Sequence, residues 1–236
     1  MPQDTADPVG GRAWQRRKRL DHILATAERV FAEAGFEGAS MAELAAASGL
    51  PKANLHYYFG TKEALYTALL DSILDLWLSA TDSIRPEADP AQALEAYIRT
   101  KMLWSRSRPF ASKVFANEVL HGATHLRSYL AGPLRTLVQE KSRVVQGWID
   151  AGRMQAIDPP HLFFAIWAMT QTYADFSVQI GAVLNRPELL PEDHAAGTDT
   201  ILQLVLRGCG LEPQEPLPVA EAGRAAVAPP RRRRRG

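Results

Sequence analysis

The sequence predicts an all-α fold, an N-terminal three-helix helix-turn-helix domain joined to a larger helical domain. Three observations carry that expectation. Apolar residues recur at helical spacing along most of the chain, with little strand-like alternation. Two short helical segments flank a glycine at position 49, the dimensions of a helix-turn-helix. Prolines at 86, 90, 109, 133, 159 and 160 then divide the remainder into helix-length pieces.

Residues 1–14 read as a disordered arm, because they hold Pro, Gly and Asp without periodicity. From Gln15 onward Leu20, Ile23, Leu24, Ala27, Val30, Phe31 and Ala34 follow the spacing of an amphipathic helix, and Gly35 is placed to stop it. Ser40 followed by Glu43 is a capping-box signature opening a second helix through about Ala47. Pro51 suits the first turn of a third helix, Lys52 to Phe59, which ends at Gly60. Thr61 can cap a fourth, longer helix whose Leu65, Leu69, Ile73, Leu76 and Trp77 share a side. Further helices are expected at 90–106, 109–120, 124–151, 160–181 and 191–209. The stretch 211–236, rich in Pro, Ala and Arg, reads as a disordered tail.

At 236 residues the chain lies near the size at which one core gives way to two domains. An apolar fraction of 46% and a charged fraction of 22% exclude a fibrous or wholly disordered class. The longest apolar run, Leu162 to Met169, is far short of the ~20 residues that span a bilayer. With a polar N-terminus and the single cysteine Cys209, the pattern points to a cytoplasmic protein without an intrachain disulfide. The net charge of +1 hides an asymmetry. Arg12, Arg16, Arg17, Lys18 and Arg19 form one basic cluster and Arg231 to Arg235 another; the remaining 17 basic residues face 26 acidic ones. Basic ends on an acidic body suggest that a polyanion is met at defined places, although both clusters could be solvated tails.

The third helix concentrates chemistry suited to nucleic acid. Lys52, Asn54, His56, Tyr57 and Tyr58 crowd donors, acceptors and aromatic edges onto fewer than two turns, with Leu55 and Phe59 left as anchors. An amide such as that of Asn54 can read an adenine edge, whereas Lys and Tyr mostly hold phosphates. Ala53 lies among them, and Arg17 and Lys18 of the basic arm would add phosphate contacts. One such helix reads few bases, so a symmetric dimer on palindromic DNA is expected, with the apolar helices at 160–181 and 191–209 as dimer faces.

The segment His161 to Ile180 is apolar on nearly every side, as for a buried helix. Within it Trp167, Gln171 and Asp175 recur at i, i+4, i+8 and share a face. A buried amide and carboxylate need partners, which another helix, a second subunit or a ligand could supply. A ligand suited to that set is a small planar heterocycle, stacked on the indole with its N–H and C=O edges paired. Trp77 could form a second wall, and Lys101 and Trp104 are further candidates. The chain is thus divided into the arm (1–14), a DNA-binding domain (15–60), a ligand-binding and dimerisation domain (61–210) and the tail (211–236).

The stretch Ser40-Met41-Ala42-Glu43-Leu44-Ala45 to Gly49, with Lys52-Ala53-Asn54-Leu55-His56-Tyr57-Tyr58-Phe59-Gly60-Thr61-Lys62-Glu63-Ala64-Leu65, resembles the DNA-binding signature of the tetracycline-repressor family. That resemblance implies DNA contacts at Asn54, His56, Tyr57, Tyr58 and Lys62, and phosphate contacts at Ser40 and the start of helix one. Many members carry serine where this chain has Pro51. The strings Ile73-Leu74-Asp75-Leu76-Trp77-Leu78, Gly147-Trp148, Ile157-Asp158-Pro159, Ile166-Trp167-Ala168 and Tyr173-Ala174-Asp175-Phe176 are similar to pyrimidine-utilisation regulators within that family. This implies repression of pyrimidine-catabolism genes and release by uracil or thymine; a regulator sensing a different planar ligand, or a constitutive DNA-binding protein, is the alternative.

No catalytic residue is expected, since no nucleophile elbow, phosphate loop or His-Glu-x-x-His is present, and no cofactor is implied. His121, His125 and Glu118 could share a helix face as metal ligands, but Gly122 interrupts the segment and no metal site is expected.

Overall fold

A computed structural model describes residues 8–212, with side chains from residue 13 onward. The first seven residues of the expected arm, and the tail from 213 with Arg231 to Arg235, lie outside the described residues. The described residues are helical, without a strand, and among them no helix is long and apolar enough to cross a membrane. They divide into two compact units, residues to 80 with 108–137, and 81–107 with those from 138 on. The border drawn at 60/61 therefore does not separate the units.

In the first unit α1 (Pro8–Gly38) begins ahead of the expected Gln15, so residues 8–14 are helical rather than a disordered arm. Proline is tolerated in a first turn, and Gln15 to Arg19, good helix formers, continue the helix inward; Gly10 and Gly11 oppose it locally. Gly35, at φ +68°, interrupts the helical path where the sequence placed its stop. Ser40 caps α2 (Met41–Ala47): its Oγ accepts the Glu43 amide at 3.2 Å while the Glu43 carboxylate accepts the Ser40 amide at 2.9 Å. A turn at Gly49 leads to α3 (Lys52–Phe59), with Pro51 at the N-cap, one residue earlier than expected. Thr61 caps α4 (Lys62–Ser79), its Oγ1 accepting the Ala64 amide at 3.1 Å.

The apolar faces of these helices and of α6 (Pro109–Leu120) meet in one core that includes Ile23, Phe31, Leu44, Leu55, Leu69, Ile73 and Val114. α1 packs against α2, α4 and α6. Glu28, buried on α1, accepts two bonds from the Arg108 guanidinium, at 3.1 Å from Nε and 2.5 Å from Nη2, tying α1 to the start of α6.

The helix expected over 124–151 is broken. A short α7 (Arg127–Tyr129) passes into a wide π-type turn, Leu130–Leu134, before α8 (Arg135–Asp150). Pro133 lacks an N–H and its ring displaces the carbonyl one turn back, which widens the hydrogen-bond ladder there.

The second unit is built from α5 (Pro90–Ser107), most of α8, α9 (Pro159–Asp175), α10 (Ser177–Leu184) and α11 (Pro191–Gly208). α5 packs against α9 and α11. The helix expected at 160–181 is two helices, separated at Phe176, whose φ of −112° and ψ of 26° leave the helical region. Gly197 on α11 makes room for the Tyr173 ring of α9: a Cβ there would lie 2.2 Å from that ring, so any side chain would require the ring to move. Cys209, buried at the end of α11, has its thiol pushed up to about 11 by burial.

Candidate functional site

The first unit presents α3 on its surface. Leu55, fully buried, fixes the inner side, and Phe59 is half-buried. Lys52, Ala53, Asn54 and His56 are exposed, Tyr57 is 83% exposed, and Tyr58 is half-buried with its ring edge-on to Tyr57. At 100° per residue, Ala53 and Tyr57 point most directly outward, flanked by Lys52 and His56 on one side and Asn54 and Tyr58 on the other. Of the residues singled out on this helix from sequence, Lys52, Ala53, Asn54, His56 and Tyr57 are accessible, and Tyr58 is partly packed against the core.

Beside α3 an open cleft of about 760 Å³ is lined by Arg16, Lys18, Arg19 and His22 of α1 together with Tyr57 and Tyr58. It contains three permanent cations, two phenols and no carboxylate, so it suits an anionic backbone. Arg17 is exposed on the same stretch without lining the cleft. Lys18 also lies 5.1 Å from the centre of the Trp14 ring.

Two expected contacts have other work in the structure. The Lys62 ammonium donates to the carbonyls of Phe36 at 2.7 Å and Ala39 at 3.0 Å, which makes it a brace across the α1–α2 turn rather than a free phosphate ligand. Those partners lie more than twenty residues away in sequence, so no local pattern announces them. The Ser40 hydroxyl is held within its capping box, donating to Glu43 at 2.8 Å.

The residues weighed as metal ligands are also engaged internally. Buried Glu118 accepts the Tyr66 hydroxyl at 3.1 Å and the His125 amide at 2.6 Å, with His125 Nδ1 at 3.3 Å. His121 Nδ1 donates to the Asn117 carbonyl at 2.7 Å. Among the described residues no group of three or more His, Cys, Asp and Glu assembles that could hold a metal ion.

The second unit holds a polar cluster between α5 and α9. The Trp167 indole N–H donates to the Tyr97 hydroxyl at 2.7 Å. Tyr97 is 2% exposed and Lys101, one turn further along α5, 5%. Burial pushes the Lys101 ammonium from its ordinary 10.5 down to about 8, and the charge of Asp175 on α9 opposes that fall. Gln171 and Asp175 are half-buried on the face they share with Trp167, and Trp104 is half-buried on α5. Ser105 donates to the Thr170 carbonyl at 2.7 Å, joining the two helices beside the cluster. Trp77, expected as a second wall, belongs to the first unit, where its ring meets Phe115 edge-on at 4.6 Å. Tyr97 was not singled out from sequence; its one signal is its position four residues before Lys101.

Two family models account for most of the chain. That of bacterial regulatory proteins of the tetR family matches residues 23–69, and that of the C-terminal region of YcdC-like proteins matches residues 70–212. The chain belongs to the tetracycline-repressor family. It is accordingly a ligand-responsive, DNA-binding transcriptional repressor with a helix-turn-helix, and not an enzyme. Among TetR-family relatives, the HTH-type transcriptional regulator RutR of Escherichia coli K12 is 42% identical over 183 residues, covering 78% of this chain and 86% of RutR. The HTH-type transcriptional repressor NicS of Pseudomonas putida is 32% identical over 153 residues, 63% of this chain and 70% of NicS. The crystal structure of AibR with isovaleryl coenzyme A and operator DNA superimposes with a TM-score of 0.61 at 22% identity, covering 83% of this chain and 98% of that one. That of PfmR from Thermus thermophilus gives 0.63 at 20% identity, covering 79% and 95%. Both likenesses concern the TetR-family fold.

Proposed function

We propose that this chain is a cytoplasmic TetR-family repressor of pyrimidine-catabolism genes, binding palindromic operator DNA as a dimer and released by uracil or thymine. The observation that carries the effector assignment is the polar cluster of Tyr97, Lys101, Trp167, Gln171 and Asp175 set within the otherwise apolar packing of α5 on α9. A pyrimidine is flat, with two carbonyl acceptors and two N–H donors. The indole supplies a stacking surface, the Lys101 ammonium a donor, Asp175 an acceptor, and the Gln171 amide one of each. The 42% identity to RutR supports the same reading, given the resemblance of both halves to pyrimidine-utilisation regulators.

Dimerisation is supported by large apolar residues left exposed in the second unit, Phe176, Val178, Val183 and Leu184 at and along α10 and Leu204 on α11. Contiguous exposed apolar surface of this kind marks protein interfaces. On the DNA side, the cleft between α1 and α3 would grip phosphates while Asn54 and its neighbours read bases. For ligand to release operator it must bind the DNA-incompetent arrangement more tightly than the competent one.

The test is calorimetry and thermal unfolding with uracil, thymine and a panel of purines. Uracil or thymine should bind, raise the melting temperature and free a selected operator. Trp167→Ala and Gln171→Ala proteins that still left operator at wild-type uracil concentrations would place the effector elsewhere.

A further inference from the structure

We propose that His56 reads the polarity of one base pair in each operator half-site, selecting an exocyclic amine, adenine N6 or cytosine N4, rather than anchoring a phosphate. The proposal rests on the reading of α3 as the recognition helix, and is tested separately from it below.

The inference starts from one bond. Nδ1 of His56 lies 2.8 Å from the Gly60 carbonyl oxygen. A carbonyl only accepts, so Nδ1 must carry the hydrogen, whatever the charge of the ring. In the neutral ring Nε2 then holds a lone pair and no hydrogen. It can accept and cannot donate.

That polarity sorts the partners available on DNA. In the major groove adenine N6 and cytosine N4 donate, whereas guanine O6 and N7 and thymine O4 accept, as do all phosphate oxygens. A neutral His56 is therefore matched to an amine and opposed to the rest. Contact with phosphate would require the imidazolium, and would then release a counterion like any other cation.

Placement supports the base over the backbone. His56 is exposed on α3 and shares a side with Lys52 one turn earlier, next to the outward Tyr57. Tyr57 and Tyr58 line the cationic cleft with Arg16, Lys18 and Arg19, and His56 does not. The ring and the phosphate-binding cleft thus occupy different flanks of the helix.

Gly60 is what aims the carbonyl. Its φ of +68° and ψ of −58° suit glycine alone, and its own N–H donates to the His56 carbonyl at 2.8 Å. The two residues are joined by backbone and by side chain. A Cβ at Gly60 would meet nothing within 4 Å, so Gly60→Ala acts through the backbone angle and not through a clash.

The experiment begins by selecting an operator from random duplexes with the full chain. Each adenine in the half-site is then replaced by 2-aminopurine and each cytosine by pyrimidin-2-one, which removes one major-groove amine at a time. Affinities are measured for wild type, His56→Ala and His56→Gln. At one position the wild type should lose about five- to tenfold per half-site, His56→Ala should lose nothing further there, and His56→Gln should keep part of the discrimination because its amide oxygen accepts. The slope of log affinity against log salt should be the same for His56→Ala and wild type. Gly60→Ala should blur the preference at that same position.

A salt slope reduced by about 1 in His56→Ala, with no amine position coupled to it, would make His56 a phosphate anchor and overturn the proposal. An Asn54→Ala protein separates the two levels. If it selects a different operator while His56→Ala does not, only the His56 assignment fails. If neither change alters the selected sequence or the affinity, α3 is not the reading helix and the larger interpretation falls with it. Circular dichroism of each variant verifies that α3 persists, with His56→Gln as the reference should His56→Ala unfold.

Discussion

The Lys62 ammonium sits 4.4 Å above the centre of the Phe36 ring while donating to the Phe36 carbonyl at 2.7 Å. One side chain from the first turn of α4 thereby closes the turn that delivers α2, by a charge-assisted bond and by attraction to the ring face. Lys62→Met keeps the stem and removes both interactions. It should lower stability by about 1–3 kcal/mol in urea unfolding, since it leaves half-buried carbonyls without a donor. Operator binding should weaken with the salt slope unchanged. A slope lowered by about 1 would return Lys62 to the phosphate-contacting group.

Glu28 and Arg108 should behave as a unit. Arg108→Met leaves a buried carboxylate without its cation and is expected to destabilise by about 3 kcal/mol. Glu28→Leu combined with Arg108→Met should recover most of that loss. Additive effects in thermal unfolding would show that the two groups are not coupled.

Tyr97→Phe removes the acceptor of the Trp167 indole N–H without changing the ring. A loss of about 1 kcal/mol in stability is expected, together with weaker uracil binding by calorimetry. Unchanged binding would leave Tyr97 a packing residue alone.

Lys101 makes stability depend on pH in a definable window. A base with its folded pKa lowered to about 8 from 10.5 carries fewer protons folded than unfolded between those values. Stability therefore rises with pH across that interval and is lowest, as far as this group is concerned, below it. The effect is read as the difference between wild type and Lys101→Met, in which the titration of buried tyrosines cancels. It should amount to a change on the order of 1–3 kcal/mol between pH 7.5 and 10. If a ligand carbonyl accepts from the ammonium, binding near pH 8 should also take up protons, visible as a buffer-dependent calorimetric enthalpy.

Val178→Asp places a charge in the exposed apolar patch of α10. Sedimentation should then show a monomer with far weaker operator binding. A Val178→Asp protein that remains a dimer would move the interface to another surface.

The helix-turn-helix was legible because its signals are local: a capping box spans four residues, α2 and α3 end at Ala47 and Phe59 just ahead of Gly49 and Gly60, and Gly35 kinks α1 where the sequence puts a stop, although α1 runs on to Gly38. The early start of α1 was not, because residues 8–14 carry no apolar stripe and include Pro8, Gly10 and Gly11, which propensity alone would keep out of a helix. Nothing at Phe176 breaks a helix by residue type, so the α9–α10 break was invisible, whereas the widening at Pro133 has a cause visible in the sequence, a proline inside the expected 124–151 helix. In the second unit the face of Trp167, Gln171 and Asp175 followed from spacing. Tyr97 did not, since a tyrosine on an apolar helix face looks like core until its hydroxyl is seen to accept from Trp167.

Cys209 gives the protein a practical property. Its thiol is buried and held protonated, and it is the one cysteine in the chain, so the folded protein should be nearly blind to thiol reagents. A reporter cysteine introduced on the exposed side of α3 would therefore take a spin label alone. In a dimer the two labels would report the distance between recognition helices directly, with and without a pyrimidine, and so time-stamp the release of DNA.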